Sequence, residues 1–191
     1  VALVVFFLLG LVLSCWADQT LQAPAPAPEP VATAIEGAQL WDGSGAEPVT
    51  DAVVDIKGDR PEAVGPRSTV TVPANARKID AKGKTIIPGF INMHGHVGMT
   101  KGLKQGKENY TRENILAQLK LYAQYGVTTV MSLGTDFEPM FELRGPAKAD
   151  ESPRATVFTA GRGFTGKGGY PAVLPGNAGL PVEVDTVDAV K

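Results

Sequence analysis

The sequence predicts an α/β protein in which a small β module precedes alternating strands and helices. Two observations carry this prediction. Short apolar and polar stretches separated by tight turns fill the chain from Thr33 to Ile87, and strands and helices alternate after Pro88. Such alternation is typical of a parallel sheet or barrel, because each helix returns the chain to the same end of the sheet.

The composition indicates a globular protein without an affinity for nucleic acid. The 191 residues carry a formal net charge of −2, and 43% of them are hydrophobic and 20% charged. These proportions are those of a packed domain rather than a disordered chain. A near-neutral charge gives no electrostatic reason to expect nucleic-acid binding, and a single cysteine excludes an intrachain disulfide.

The amino-terminal segment, residues 1–17, is predicted to be a signal peptide. Val1 to Leu13 is apolar without interruption, which is shorter than the about 20 residues that a spanning helix needs and fits a secretory signal. Because the chain does not begin with methionine, we expect its natural start to lie upstream.

Two forms of export remain open for this segment. The residues before Cys15 resemble a bacterial lipobox, which would put a lipid anchor on Cys15, and ordinary cleavage after Ala17 is the alternative. Both predict an exported protein, either periplasmic or anchored to the membrane outside the cytoplasm. Residues 18–32 alternate proline with alanine and predict an extended linker.

The β module is predicted over residues 33–86. Strands are expected at Ala34–Trp41, Asp51–Lys57, Val70–Val72 and Lys78–Asp80. These are too few strands to close a sandwich on their own.

The second region, residues 87–191, begins with an apolar run and continues with helical and strand patterns. Thr111 is suited to cap a helix that Gly126 ends, and Val127–Met131 is a β-branched strand. A second helix at Glu138–Ala149, broken by Gly145-Pro146, a strand at Ala155–Ala160 and the start of a third helix at Asp185–Lys191 follow. Asp136 is expected to cap the second helix, with approach to a metal as the alternative for Asp136 and Glu138.

Both histidines of the chain, His94 and His96, lie at the end of the apolar run. Side chains alternate along a strand, so both imidazoles leave the same face, one strand repeat apart, and can reach one metal ion. Gly95 keeps the opposite face uncrowded. The alternative is that both are ordinary polar residues where a strand runs into a loop, since a bare His-x-His is a weak motif and two ligands are too few for a catalytic zinc.

The residues around this pair carry a resemblance. The stretch from Gly83 to His96 reads GKTIIPGFINMHGH and closely resembles the pattern of the amidohydrolase superfamily, in which Pro-Gly and Ile-Asp precede His-x-His. Gly126-Val127-Thr128-Thr129 is similar to the second barrel strand of that family, and Gly161–Phe164 to the loop after its third. Asn92 departs from the pattern, which has aspartate there.

The resemblance implies a partial (β/α)8 TIM-like barrel of about three βα units over residues 87–191, preceded by part of a small β-sandwich over 33–86. It implies one or two divalent ions, zinc by family habit, with His94 and His96 as ligands. The other ligands and the general base are expected beyond the C-terminus of this chain. Lys191 falls on a helix start and is not assigned to the metal.

The function that the resemblance implies is metal-dependent hydrolysis of a carbon–nitrogen bond in an amide, cyclic amide or dipeptide-like small molecule. Imidazolonepropionase-like and Xaa-Pro dipeptidase-like members are the nearest branches. The present chain is expected to be inactive by itself. Two alternatives stay open: a non-catalytic, exported binding lipoprotein of the same fold, and a hydrolase of esters or phosphotriesters.

Overall fold

The computed structural model describes residues 31–148 and 151–190. The predicted signal peptide, nearly all of the linker, the candidate lipid site Cys15 and Lys191 lie outside the described residues. The described chain forms two compact units. One comprises residues 31–40 and Pro48–Thr85, and the other comprises Trp41–Glu47 and the residues from Ile86 onward.

The first unit is built on one mixed sheet. Its strands are β1 (Thr33–Leu40), β2 (Val49–Lys57), β3 (Arg60–Pro66), β4 (Arg77–Asp80) and β5 (Thr85–Ile86). The order is β3-β2-β1-β4, with β5 also pairing with β1. The pairs β1–β2 and β2–β3 are antiparallel, and β1–β4 is parallel. Small side chains on the central strands, among them Ala34, Ala38 and Ala52, are buried.

Two details of this sheet differ from the sequence prediction. The strand β3 was not predicted, and Val70–Val72 is not a strand. Pro61 and Pro66 argue against a central strand because proline cannot donate to the ladder, but β3 is an edge strand, where proline is tolerated.

The second unit contains the remaining elements. Its strands are β6 (Phe90–Gly95), β7 (Thr100–Lys101), β8 (Lys104–Gln105), β9 (Val127–Ser132), β10 (Thr156–Thr159), β11 (Phe164–Gly166) and β12 (Val182–Val184). Its helices are α1 (Arg112–Gln124) and α2 (Glu138–Leu143), with 3-10 turns at Lys107–Asn109 and Asp188–Val190. None of the helices among the described residues is long and apolar enough to cross a membrane.

A three-stranded parallel sheet, β10-β9-β6, forms the centre of this unit. Its buried core joins the sheet to the two helices, and it consists of Val97, Ile115, Leu119, Val130, Met140, Leu143, Ala155 and Val157. The predicted α/β class is therefore confirmed. The parallel strands share one orientation, so their carboxyl ends lie at one edge of the sheet.

The helix α1 begins and ends where the sequence predicts. The Thr111 hydroxyl accepts a hydrogen bond from the Asn114 backbone N–H at 3.2 Å, which satisfies a donor of the first turn. Gly126 follows the helix with φ of +79°, the left-handed conformation that glycine adopts readily after a helix.

The second helix stops at the predicted break, and the third is shorter than predicted. The helix α2 ends at Leu143, just before Gly145 and Pro146. The residues after Asp185 form only a 3-10 turn at Asp188–Val190. Val187 and Val190 are exposed there, and a short helix without a buried face is marginal in water.

Candidate metal centre

The two histidines meet at the carboxyl end of β6, the strand of the parallel sheet that comes first in the chain. Their ring centroids lie 5.3 Å apart, with an angle of 78° between the ring planes. Alternation along a strand predicted that the rings would share a face, and the rings do lie together. His96 follows the last strand residue, Gly95, so the pair is at the mouth of the sheet, where α/β proteins bind their ligands.

The ring of His96 is held by the neighbouring strand. Its Nδ1 lies 2.8 Å from the backbone carbonyl oxygen of Leu133, which follows β9. A carbonyl oxygen only accepts, so Nδ1 carries the hydrogen and, in the neutral ring, Nε2 keeps its lone pair. A hydrogen bond from the second nitrogen to a carbonyl is the usual support of a metal-binding histidine.

The backbone of His94 is held from within its own strand. Its N–H donates to Asn92 Oδ1 at 3.0 Å. Asn92 is the residue that departs from the amidohydrolase pattern. Its amide oxygen can accept from this N–H as a carboxylate would, although without the negative charge.

Two glycines let this segment approach its neighbours closely. A Cβ on Gly95 would lie 2.9 Å from Val130 Cγ1, so the Val130 side chain of the neighbouring strand occupies the space beside Gly95. Gly98 has φ of +99°, and a Cβ there would lie 2.8 Å from Ile115 Cγ1. Both positions therefore require glycine, one for space and the other also for backbone conformation.

The prediction that Asp136 caps the second helix was wrong. The helix α2 has Phe137 at its N-cap, with no side-chain capping bond. The Asp136 side chain is fully buried instead and accepts hydrogen bonds from Tyr110, Ser132 and Thr159. Ser132 and Thr159 are the last residues of the neighbouring strands β9 and β10. A hydroxyl residue at the end of each strand was therefore the sequence signal for this buried carboxyl group.

Burial shapes the electrostatics beside this carboxyl group. Desolvation, and after it the charge of Asp136, raise the pKa of the Tyr110 hydroxyl well above its usual range. The phenol therefore remains protonated at neutral pH, donating to Asp136 Oδ1 while accepting from the Phe137 N–H at 3.2 Å.

The donor set fits part of a divalent metal site. Two imidazole nitrogens suit zinc, and a catalytic zinc usually takes three protein ligands. Within residues 31–148 and 151–190, no group of three or more His, Cys, Asp and Glu side chains is arranged to hold a metal ion. Asp136 and Glu138 therefore do not complete the histidine pair there, and His94 and His96 supply two donors.

A groove of about 720 Å³ lies beside the pair and includes His96 in its lining. Aliphatic and aromatic side chains of α1, among them Leu121 and Tyr122, form much of its wall, together with Thr100 and Gln118. The volume falls in the range of small-molecule pockets.

The protein therefore belongs to the class of α/β proteins that carry two imidazoles at the end of a parallel strand. Hydrolases use this arrangement to bind a metal ion. No family model matches the sequence. The chain is 41% identical to an N-acyl-D-glutamate deacylase of Alcaligenes xylosoxydans xylosoxydans over 81 residues, which make up 42% of this chain and 16% of the deacylase.

Two further proteins show the same relationship. An imidazolonepropionase of Streptomyces avermitilis is 38% identical over 60 residues, which make up 30% of this chain and 14% of that protein. The structure of a molinate hydrolase is similar with a TM-score of 0.60 and 31% identity, covering 72% of this chain and 31% of the hydrolase. These similarities agree with the resemblance that the sequence around His94 and His96 carries.

Each match covers only a part of the related protein. The chain spans about a sixth of the length of the two curated relatives and about a third of the molinate hydrolase. By name these relatives are a deacylase, an imidazolonepropionase and a hydrolase.

Proposed function

We propose that this chain is part of a metal-dependent hydrolase that cleaves carbon–nitrogen bonds in small molecules, with His94 and His96 as metal ligands. The observation that carries the proposal is the position of the two rings, 5.3 Å apart at the carboxyl end of β6. The similarity to a deacylase and to an imidazolonepropionase supports amide or cyclic amide substrates. The parallel sheet β10-β9-β6 is compatible with the start of a (β/α)8 barrel, which is the architecture that we propose for the whole protein.

The residues of this chain would bind and orient in this reaction. His94 and His96 would hold a divalent cation, most simply zinc, and such a cation lowers the pKa of water and polarises a carbonyl group. The Leu133 carbonyl keeps the hydrogen of His96 on Nδ1, which leaves Nε2 available as a donor. Asn92 fixes the backbone that carries His94, and the groove beside His96 offers space for a substrate.

The experiment is a comparison of zinc content and hydrolysis in the whole protein and in three variants. His94→Ala and His96→Ala are expected to lose zinc and to lower hydrolysis of N-acyl amino acids and cyclic amides by at least 100-fold, because each removes a ligand. Met93→Ala is the matched control. Met93 precedes His94 in β6, its side chain is exposed, and strand alternation predicts that it leaves the face opposite the histidines. It should retain the zinc and the activity.

Three other outcomes would contradict or change the proposed function. Zinc retained by both histidine variants would contradict the ligand assignment. Histidine-dependent zinc without turnover of any amide, ester or phosphotriester would favour the non-catalytic binding protein. Turnover of esters or phosphotriesters alone would keep the metal site and change the substrate class.

A further inference from the structure

The backbone on both sides of His96 is attached to the end of β9. The Leu133 N–H donates to the Gly95 carbonyl at 2.9 Å, and the Val97 N–H donates to Ser132 Oγ at 3.3 Å. The ring between them is bonded to the Leu133 carbonyl. The orientation of His96 therefore depends on where Ser132 and Leu133 lie.

Asp136 controls the direction of the Ser132 hydroxyl. Ser132 Oγ lies 2.8 Å from Asp136 Oδ1 and both groups are buried. A serine hydroxyl has one hydrogen, and donating it to the carboxylate leaves the oxygen lone pairs free to accept from the Val97 N–H. Without that acceptor the hydroxyl could turn its hydrogen elsewhere, and its bond to Val97 would lose its fixed direction.

Two other hydroxyl groups contact Asp136 in the same way as Ser132, each donating to the carboxyl group and accepting from a backbone N–H. Tyr110 OH donates to Oδ1 at 3.2 Å and accepts from the Phe137 N–H. Thr159 Oγ1 donates to Oδ2 at 2.6 Å and accepts from the Gly161 N–H at 2.8 Å. Each of three hydroxyls thus donates to one carboxyl group and accepts from one backbone N–H, but only the Ser132 branch leads to His96.

We propose that Asp136 is a positioning residue for His96 and acts through the hydroxyl of Ser132. This inference rests on the proposed function, because it takes His96 to be a metal ligand. Asp136 holds Ser132, Ser132 holds the backbone of Val97, and the adjoining Leu133 carbonyl holds the imidazole hydrogen on Nδ1. Asp136 would thereby keep the Nε2 lone pair of His96 available and oriented for a metal ion, without contacting the ion itself.

The test uses the whole protein with four substitutions and two measurements. Ser132→Ala and Asp136→Ala break the branch to His96. Asp136→Asn is the conservative variant, since its amide oxygen can still accept from Ser132. Thr159→Ala is the matched control, because it removes a hydroxyl from the same carboxyl group on a branch that does not reach His96.

The first measurement is the tautomer of His96 in the metal-free protein, from ring-nitrogen NMR with His94→Ala used for assignment. The second is zinc affinity by competition with a chelator. We expect Ser132→Ala and Asp136→Ala to mix the two tautomers and to weaken zinc binding about 10-fold or more. Asp136→Asn and Thr159→Ala should keep the Nδ1–H form and stay within about threefold of the parent protein, since outer partners matter only where they orient a ligand.

Three results would overturn the proposal. They are an unchanged tautomer and affinity in Ser132→Ala, an equal loss in Thr159→Ala, or a loss in Asp136→Asn as large as in Asp136→Ala. The tautomer measurement needs no metal. If His96→Ala retained zinc while Ser132→Ala still mixed the tautomers, the proposed function would fail and the positioning of His96 by Asp136 would stand.

Discussion

Gly95 faces Val130 so closely that a Cβ on the glycine would lie 2.9 Å from Val130 Cγ1. The side chain of Val130 is fully buried in the core of the second unit. A β-branched side chain is restricted at χ1 and cannot easily turn away. The strand β6, which carries His94, can therefore pair with β9 beside Val130 only because residue 95 is glycine.

Gly95→Ala is expected to destabilise the protein by about 1–3 kcal/mol, because an extra methyl group must push β6 away from β9. The double variant Gly95→Ala/Val130→Ala should be more stable than the sum of the single effects by about 1 kcal/mol, since removing the valine methyl groups makes room. Urea denaturation of the two single variants and the double variant measures this coupling.

The control is Gly166→Ala, because no atom lies within 4 Å of the position that its Cβ would occupy. It should change the free energy of unfolding by less than about 0.5 kcal/mol. Additive effects of Gly95→Ala and Val130→Ala would show that the close approach does not limit the packing of β6.

Local signals explain which elements the sequence predicted well. The ends of α1 were predicted because Thr111 and Gly126 act through their own backbone or that of near neighbours. Strand alternation predicted that His94 and His96 would lie together, and the rings are neighbours, although the pairing of β6 with β9 shifts register between Asn92 and Gly95. Their role as ligands remains a prediction.

The missed features depend on partners that are distant in sequence. The strand β3 contains two prolines and is stable only because it lies at a sheet edge, beside β2. Asp136 looked like a helix cap, yet two of its three hydroxyl partners, Tyr110 and Thr159, lie more than twenty residues away in the chain. Position in a sheet and pairing across the fold cannot be read from local propensity.

Arg154 should be the most important cation for the stability of the second unit. Its side chain is only 2% exposed and lies 3.2 Å from Glu151. Its guanidinium also donates to four backbone carbonyl oxygens, those of Leu143, Gly145, Pro146 and Ala155. We expect Arg154→Met to destabilise the protein by about 2–4 kcal/mol, because several backbone carbonyl oxygens lose their donor at once. Glu151 would keep Arg112 and the Lys148 N–H as partners.

Arg144→Met is the matched control, since Arg144 is exposed at the end of α2. It should change stability by less than about 0.5 kcal/mol. Arg154→Lys should fall between the two, because an ammonium keeps the charge but lacks the planar fork. Equal melting temperatures for the Arg154→Met and Arg144→Met variants would contradict the assignment.

Tyr110 should make the protein sensitive to alkaline pH. Burial, and after it the charge of Asp136, raise its pKa in the folded state, whereas the unfolded chain releases the phenol proton near pH 10. Stability from this group is therefore fully present below about pH 10 and is lost as pH rises toward the folded pKa. Tyr110→Phe has no proton to release and should lack this part of the alkaline loss.

At neutral pH the Tyr110→Phe variant should be less stable by about 1–3 kcal/mol, because the Phe137 N–H loses its acceptor and Asp136 loses one donor. The difference from the parent protein should narrow as pH rises above about 10. Urea denaturation between pH 7 and the alkaline limit of folding measures it. Tyr125→Phe serves as the control, since that side chain is 78% exposed. A gap between Tyr110→Phe and the parent that stays constant with pH would mean that ionisation of this phenol does not affect folding.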